Sequence, residues 1–327
     1  MENGSAPILK QKGPYTYRMR YKPKENITEH FDNTLSYFQP KIIRFEPEMS
    51  IGSENDTVTT VNLAVVYNET LDGPYQIYSG KDDLTKKGSI LTYNNSRTVK
   101  YWKSYCSMVN GTDAASFHPF VNKSEVLRFF SSDICSEQIV KDIPLYRFVI
   151  PASAFASPVS NPDNVCFCTD KDISSNCTLG GMLDISSCKA GKPVYISLPH
   201  FLHASKEFFQ YVEGLNPNEE EHKTFLDVEP ITGFTLHFAK RLQINLLVRP
   251  NPKIAALKNI KHHFVFPILW LNETAIISNE KADIFRSKVT NKIKLLNFLQ
   301  LALMIIGSVI FLVFLVASFL CKGKSPK

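Results

Sequence analysis

The side chains with the clearest chemical potential are the cysteines: the chain has seven, and six of them lie between Cys106 and Cys188. A clustered, even number of cysteines favours disulfides in an oxidising compartment, although it leaves fifteen pairings open. The rival chemistry is a zinc site, for which Cys166, Cys168, Cys177 and Cys188 could supply thiolates. Their spacing, C-x-C-x8-C-x10-C, lacks the paired C-x2-C knuckles of structural zinc sites, so we favour disulfides.

Two histidine-containing segments are the other candidates for metal chemistry. Residues 219–222 (EEEH) follow the turn signal Asn-Pro-Asn, which favours a solvated acidic loop. His262 and His263 could bind a metal or sense pH, but the lysines beside them favour an exposed basic segment. The chain has no phosphate loop, H-E-x-x-H or G-x-S-x-G motif. We therefore predict no enzyme, no catalytic residue, no metal site and no cofactor; stoichiometric zinc would revive a metal-dependent enzyme.

The glycosylation pattern Asn-x-Ser/Thr is over-represented in this chain. A chain of this composition should carry roughly three such sites by chance. It has nine, at Asn3, Asn26, Asn55, Asn68, Asn94, Asn110, Asn122, Asn176 and Asn272. Of these we predict glycosylation at all but Asn3. The excess indicates a secretory compartment, in agreement with the cysteines.

The element that must hold these groups beside a membrane is at the C-terminus. Residues 298–320 carry no charge, and as a helix they would span roughly 35 Å, enough to cross a hydrocarbon core of about 30 Å. Lysines flank both ends, so the positive-inside rule does not decide the orientation. We predict a luminal or extracellular domain over residues 1–294, a transmembrane helix over 295–320 and a short cytoplasmic tail over 321–327.

One observation opposes this orientation. Residues 1–20 contain no apolar run of the kind found in signal peptides. A single span near the C-terminus could then be inserted after synthesis, which would leave the large domain in the cytosol with unused sequons and reduced cysteines. The two orientations make opposite predictions for glycosylation.

The rest of the chain has mostly the two-residue periodicity of β-strands. One parity of residues 234–248 is apolar except for Lys240, and Thr235, His237, Arg241, Gln243 and Asn245 lie on the other. This predicts a long strand, or two strands joined by a bend, with a wet face and an apolar face that we place in the core by default. Shorter stretches with the same alternation begin at Val61, Tyr146 and Val194. Short helices are expected at residues 124–130 and 281–289. The pattern favours a large, mainly antiparallel sheet or barrel.

Net charge is mild. The formal value is +6, and no basic stripe stands out along the sequence. We therefore predict no nucleic-acid partner.

Several segments resemble the class B scavenger receptors. They are residues 13–18 (GPYTYR), 110–117 (NGTDAASF), 129–135 (FFSSDIC), 162–168 (PDNVCFC), 193–201 (PVYISLPHF), 214–222 (GLNPNEEEH) and the strand within 229–248. The resemblance extends from about residue 11 to residue 294. It implies a large antiparallel β-barrel with a lipid tunnel and a helical bundle at the apex. The apolar faces of the alternating strands could then line either the barrel core or the tunnel, and we take the core as the default. By position, the resemblance also implies the disulfides Cys106–Cys166, Cys135–Cys188 and Cys168–Cys177.

The resemblance also implies a function. Such receptors lie in the plasma membrane with Golgi and endosomal pools, and take up long-chain fatty acids. They bind oxidised lipoproteins, anionic phospholipids and thrombospondin. Their tails are palmitoylated and ubiquitinated, and the matching residues here are Cys321, Lys324 and Lys327. We expect a lipid receptor; the alternatives are an adhesion protein with incidental lipid binding and a non-functional form retained in the endoplasmic reticulum.

The chain departs from the resembled receptors at three places. Their first transmembrane helix has no counterpart in residues 1–10, and the segment between 136 and 141 is short. The chain also passes directly from residues 63–66 to residues 67–70, where those receptors carry a long, largely helical insertion that forms much of their apical ligand platform. We expect the missing parts to leave sheet edges and apolar faces exposed.

Overall fold

The computed structural model describes residues 6–57, 70–100, 102–130, 132–134, 138–140, 143–169, 177–189, 191–254 and 257–322. The chain divides into two compact units. The larger comprises residues up to 138 together with 144–276, and the smaller comprises 139–143 together with the residues from 277 onward.

The fold is mainly β, as predicted, and every described strand pairing is antiparallel. The strands are β1 (Tyr17–Tyr21), β2 (Glu25–Glu29), β3 (Thr34–Phe45), β4 (Thr70–Tyr78), β5 (Ile90–Tyr93), β6 (Leu127–Phe129), β7 (Ser132–Ile134), β8 (Gln138–Val140), β9 (Ile143–Val149), β10 (Met182–Asp184), β11 (Val194–Ser197), β12 (Phe225–Val228), β13 (Thr235–Val248) and β14 (Phe264–Ile276). The α-helices are α1 (Glu219–His222), α2 (Asn279–Phe285) and α3 (Asn291–Lys322).

The first sheet is built around β3, which pairs with β1 near its C-terminal end and with β2 near its N-terminal end. Its other side pairs with β4, which in turn pairs with β5. Tyr37, Tyr75 and Tyr93 lie directly opposite one another across the last three strands, with ring centroids 5.7 and 5.0 Å apart. Aromatic cross-strand pairs of this kind stabilise a sheet and fix its register.

The second sheet is organised by the long strand β13. One side of β13 pairs with β14 along its whole length. The other side is shared, because β12 pairs with its N-terminal half and β11 with its C-terminal half. β9 and β10 extend the sheet beyond β12 and β11. The predicted long strand is therefore confirmed as one element with a bulge after Ile244.

Two hydrophobic clusters pack against this sheet. The first consists of Phe117, Val121, Leu127, Phe148, Ile150, Leu226 and Val228. The second consists of Tyr195, Phe201, Phe208, Leu247 and Val265. Each full burial of such a side chain contributes about 1.5–3 kcal/mol, so these clusters are the main source of stability in the larger unit. The predicted strand that begins at Tyr146 supplies Phe148 and Ile150 to the first cluster, and the one that begins at Val194 supplies Tyr195 to the second. The predicted strand that begins at Val61 lies outside the described residues.

The helix predicted at 124–130 is wrong. The side-chain oxygen of Asn122 accepts hydrogen bonds from the backbone N–H and the hydroxyl of Ser124, and the Glu125 carboxylate accepts one from the Asn122 N–H. These bonds resemble those of a helix cap, but no helix follows, because residues 127–129 pair with β7 as a strand. Leu127 is then buried in a strand that pairs with β7.

The C-terminal helical predictions are confirmed. α2 begins after the cap residue Ser278, whose side chain accepts a hydrogen bond from the Lys281 N–H. It runs through a π-helical turn (Arg286–Thr290) into α3, so residues 281–289 and 298–320 are helical. Residues 279–319 form one helix long and apolar enough to cross a membrane, with a mean hydropathy of 2.8 in its most apolar stretch. The domain boundaries at 294 and 320 remain predictions.

Candidate functional site

The two faces of the β13–β14 pair differ from the sequence prediction. On one face Leu242 lies opposite Leu271, and Ile244 lies opposite Leu269. We call these four residues the apolar strip. Leu269 is 43% exposed and Leu271 is 53% exposed, while Leu242 and Ile244 are half-buried. The expectation that this face lies in the core is therefore wrong at the middle of β13.

The apolar strip has the chemistry of a surface for hydrocarbon. Its four side chains are contiguous because directly opposed residues on neighbouring strands lie about 4.5–5.5 Å apart. Lys240 and Glu273 form the next opposed pair on the same face, so one end of the strip is charged. Within the described residues β14 pairs with β13 alone, which leaves its other edge available. Burying such leucine and isoleucine surface against a ligand releases about 25 cal/mol per Å².

The opposite face of β13 is polar, but it is buried rather than wet. Gln243 is 2% exposed and Asn245 is 0% exposed. The Asn245 amide donates to the Tyr195 carbonyl (3.3 Å) and the Ser197 hydroxyl (3.1 Å), and its oxygen accepts from the Gln243 amide (2.8 Å). Partners from β11 satisfy these groups, which is why polar residues can occupy an interior position.

A buried ion pair lies further along the polar face. Arg147 of β9 donates two hydrogen bonds to the fully buried carboxylate of Asp227 on β12, at 2.6 and 2.5 Å. His237 of β13 bonds the same carboxylate through Nδ1 at 2.8 Å. The Arg147 guanidinium also lies 3.7 Å from the ring centroid of Phe225. This cluster joins three neighbouring strands and has the geometry of a structural pair.

Two stacked histidines cover the centre of the polar face. The rings of His200 and His222 lie 4.4 Å apart and 6° from parallel. The His200 N–H donates to the Gln243 side-chain oxygen (2.8 Å), and the His222 ring lies 5.6 Å from that of Trp270. Burial is the main cause that lowers the pKa of both imidazoles from 6.5.

The predicted acidic loop at 219–222 is instead the single-turn helix α1. Asn218 caps it, because its side-chain oxygen accepts from the backbone N–H groups of Glu220 and Glu221. The three glutamates are exposed, as predicted, but His222 is buried. In the part of the chain that the structure describes, no group of three His, Cys, Asp or Glu side chains could hold a metal ion. His262 and His263 are exposed.

The structure pairs two sets of cysteines. Cys106 is bonded to Cys166, and Cys168 is bonded to Cys177, the pairings that the resemblance implies. Three of the four candidate zinc ligands are thus in disulfides, which removes the zinc alternative. The pairing of Cys135 with Cys188 lies outside the described residues.

The predicted modification sites fall into two groups, those that the structure describes and those outside the described residues. Six sequon asparagines are described, and all are exposed: Asn26, Asn55, Asn94, Asn110, Asn122 and Asn272. Asn68 and Asn176 lie outside the described residues, as do Lys324, Lys327 and the side chain of Cys321. Exposure makes the six asparagines available to a glycosylating enzyme.

Sequence reasoning missed the histidine pair and the Arg147–Asp227 pair. His200 and His222 are 22 residues apart, and neither belongs to a spacing pattern associated with known chemistry. Arg147 and Asp227 are 80 residues apart. The one available signal was the run of polar residues on alternate positions of β13, which required partners once that face was buried.

The chain is similar in sequence to known membrane proteins and receptors. A family model described as the CD36 family matches residues 1–67 and 63–318. Lysosome membrane protein 2 from Homo sapiens is 32% identical over 396 aligned residues, which cover 98% of this chain and 80% of that protein. The Mus musculus protein of the same name is 30% identical over 395 residues, with the same coverage. Scavenger receptor class B member 1 from Rattus norvegicus is 25% identical over 388 residues, covering 95% of this chain and 74% of that protein.

These alignments are longer than the chain itself, which has 327 residues. The relatives therefore carry internal residues that have no counterpart here. The family match is interrupted at residues 63–67, where the sequence predicts a missing segment. Since the matched regions extend over nearly the whole chain, the chain belongs to the CD36 family.

Proposed function

We propose that this protein is a membrane-anchored lipid receptor and that the apolar strip contacts the acyl chain of its ligand. The observation that carries the proposal is the exposure of Leu269 and Leu271 on the β13–β14 pair of a CD36-family chain. We propose long-chain fatty acids as the simplest ligands. Oxidised lipoproteins and anionic phospholipids present the same acyl chains, and thrombospondin would bind elsewhere on the surface.

The energetics are favourable for a long acyl chain. Each methylene transferred from water to an apolar surface contributes about 0.8 kcal/mol. The strip offers two cross-strand pairs of aliphatic side chains, and the Lys240–Glu273 pair marks its charged end. An acyl chain lying along the strip can therefore keep its carboxylate in a polar environment.

The exposed sequons and the two disulfides support a luminal or extracellular position for the large domain. We propose residues 1–294 for this domain, 295–320 for the membrane span and 321–327 for the cytoplasmic tail. In that arrangement Cys321 is available for palmitoylation, and Lys324 and Lys327 for ubiquitination. The plasma membrane, with Golgi and endosomal pools, is the proposed location.

Photo-crosslinking tests the ligand site. The full chain in amphipol would be incubated with a photoreactive, long-chain fatty acid, irradiated and digested with trypsin. Because trypsin does not cleave before Pro250, cleavage after Arg241 and Lys253 isolates residues 242–253, which include the part of β13 that carries Leu242 and Ile244. We expect labelling of this peptide that excess unlabelled fatty acid suppresses. Labelling confined to residues 291–322 would instead show partitioning onto the hydrophobic helix and would contradict the proposal.

Removal of N-glycans tests the topology. If the large domain is luminal, enzymatic deglycosylation of the expressed chain should produce a large mobility shift. An unshifted chain would place this domain in the cytosol and would overturn the receptor proposal. Immature glycans alone would favour the form retained in the endoplasmic reticulum. Retained thrombospondin binding without salt-independent acyl-chain binding would favour an adhesion protein.

A further inference from the structure

We propose that the His200–His222 pair is an acid-sensitive latch. At neutral pH it holds residues 7–11 and 213–218 against the polar face of the β13–β14 pair, and acidification releases them. This inference concerns the protein without ligand and is independent of the lipid proposal.

The first argument is the tautomer that the structure imposes. The Asn216 N–H donates to Nδ1 of His200 at 3.0 Å, and the Asn218 N–H donates to Nδ1 of His222 at 2.9 Å. Each Nδ1 is therefore an acceptor without a proton, and each ring carries its proton on Nε2. Protonation would place a hydrogen on Nδ1 facing a backbone N–H. Both hydrogen bonds to the 213–218 segment would then be lost.

The second argument is the close approach of the rings. Two imidazolium ions stacked 4.4 Å apart would repel each other in a site partly shielded from water. Arg241 adds a third positive charge near His222, and Glu221 opposes all three. His203 and Glu219, which lie close in sequence to His200 and His222, form a neighbouring pair at 3.0 Å. Burial is the largest influence on both rings and favours their neutral form, whereas Glu221 favours the charged form.

The third argument is what the latch holds. The side-chain oxygen of Gln11 accepts from Nε2 of His200 (3.1 Å) and from the indole N–H of Trp270 (3.3 Å). The adjoining backbone is paired too, because the Leu9 N–H donates to the Glu213 carbonyl and the Glu213 N–H to the Pro7 carbonyl. The two segments are therefore bonded to each other, through Gln11 to Trp270 of β14, and through His200 to Gln243 of β13.

The backbone at the latch is also strained. His200 and Phe201 are consecutive residues with φ values of 53° and 54°, in the left-handed region that bulky side chains rarely occupy. Such conformations persist only where the surroundings over-determine them. Phe201 is fully buried in the second hydrophobic cluster, so it stays fixed when the histidine contacts are lost.

The direction of the pH effect follows from the burial of the rings. Because burial lowers the pKa of both imidazoles in the folded protein, the unfolded chain binds more protons below about pH 6.5. The free energy of unfolding therefore increases with pH in this range and decreases as the pH falls. Local opening of the latch needs less free energy than global unfolding and is expected first.

Trp270 provides a direct readout. The chain has two tryptophans, so the substitution Trp102→Phe leaves Trp270 as the single indole reporter. In this background we expect Trp270 emission to fall and shift to longer wavelength as the pH drops from about 7.5 to about 5. The variants His200→Asn and His222→Asn keep a side-chain oxygen near the position of Nδ1 but cannot titrate. Each is expected to abolish the transition.

The matched control is His203→Asn. His203 also has a left-handed backbone, with φ 62°, and lies beside the latch without stacking on it. The transition should persist in this variant; its loss there, or its persistence in either His200→Asn or His222→Asn, would overturn the proposal.

Hydrogen exchange of the unmodified protein tests the same proposal even if a variant fails to fold. After correction for intrinsic rates, the amides of Asn216 and Asn218 should exchange about tenfold faster at pH 5 than at pH 7. Unchanged protection of these two amides would contradict the latch.

Discussion

The two faces of the β13–β14 pair reverse the usual assignment of polar and apolar residues. On one face Gln243 and Asn245 are buried, and on the other Leu269 and Leu271 are about half exposed. The hydrogen-bond partners of the polar face come from the segment around His200 and from the neighbouring strand β11. Alternation along a strand therefore predicts which residues share a face, whereas distant segments decide which face is covered.

The polar face and the apolar strip also have different roles. The polar face is fully bonded and joins β9, β11, β12 and β13, so its residues position the sheet. The apolar strip makes a smaller contribution to stability because its leucines remain half exposed. If the two faces have these roles, substitutions on the polar face should change the free energy of unfolding, and substitutions in the apolar strip should change fatty-acid affinity.

The largest effect on stability is expected from Arg147→Met. This change leaves the Asp227 carboxylate buried without its bidentate partner, which should lower the free energy of unfolding by about 3–5 kcal/mol. Urea denaturation measures the loss. The matched control is Arg18→Met, whose ion pair with Glu46 is half exposed and should contribute less than about 1 kcal/mol. Equal losses in the two variants would contradict a special role for the buried pair.

A direct comparison of the faces comes from Asn245→Ala and Leu271→Ala. The first change removes the partner of Gln243, Ser197 and the Tyr195 carbonyl, and should lower the free energy of unfolding by about 2–3 kcal/mol. The second truncates a half-exposed side chain and should change it by less than about 0.5 kcal/mol. A leucine substitution as damaging as the asparagine one would show that the strip is part of the core.

A smaller effect is expected at the cap of α1. Asn218→Ala removes the acceptor for two backbone N–H groups and should lower the free energy of unfolding by about 1 kcal/mol. Asn218→Asp keeps an acceptor oxygen and should restore most of the loss. If both variants behave alike, the cap does not stabilise the turn that positions His222.

Local patterns predicted the elements well. The two-residue period identified β13, β9 and β11, and the uncharged run at 298–320 identified the apolar helix, because these signals depend on neighbours in sequence. The helix expected at 124–130 does not form because residues 127–129 pair with β7 and bury Leu127 in the first hydrophobic cluster.

The site was less predictable because it depends on long-range contacts. The Arg147–Asp227 pair joins residues 80 positions apart, and the bond from His200 to Gln11 joins residues 189 positions apart. Composition left fifteen disulfide pairings open, and only the family resemblance selected those between Cys106 and Cys166 and between Cys168 and Cys177.

The most direct test of the ligand assignment compares Leu271→Asp with Ile276→Asp. Both residues lie on β14 and are equally exposed, at 53% and 52%, but their side chains point to opposite faces. Fatty-acid affinity would be measured for the full chain in amphipol by titration with a fluorescent long-chain analogue. We predict that Leu271→Asp weakens binding about tenfold, or about 1.4 kcal/mol, and that Ile276→Asp leaves it unchanged. Equal affinities in the two variants would contradict the assignment of the apolar strip as the lipid-contacting surface.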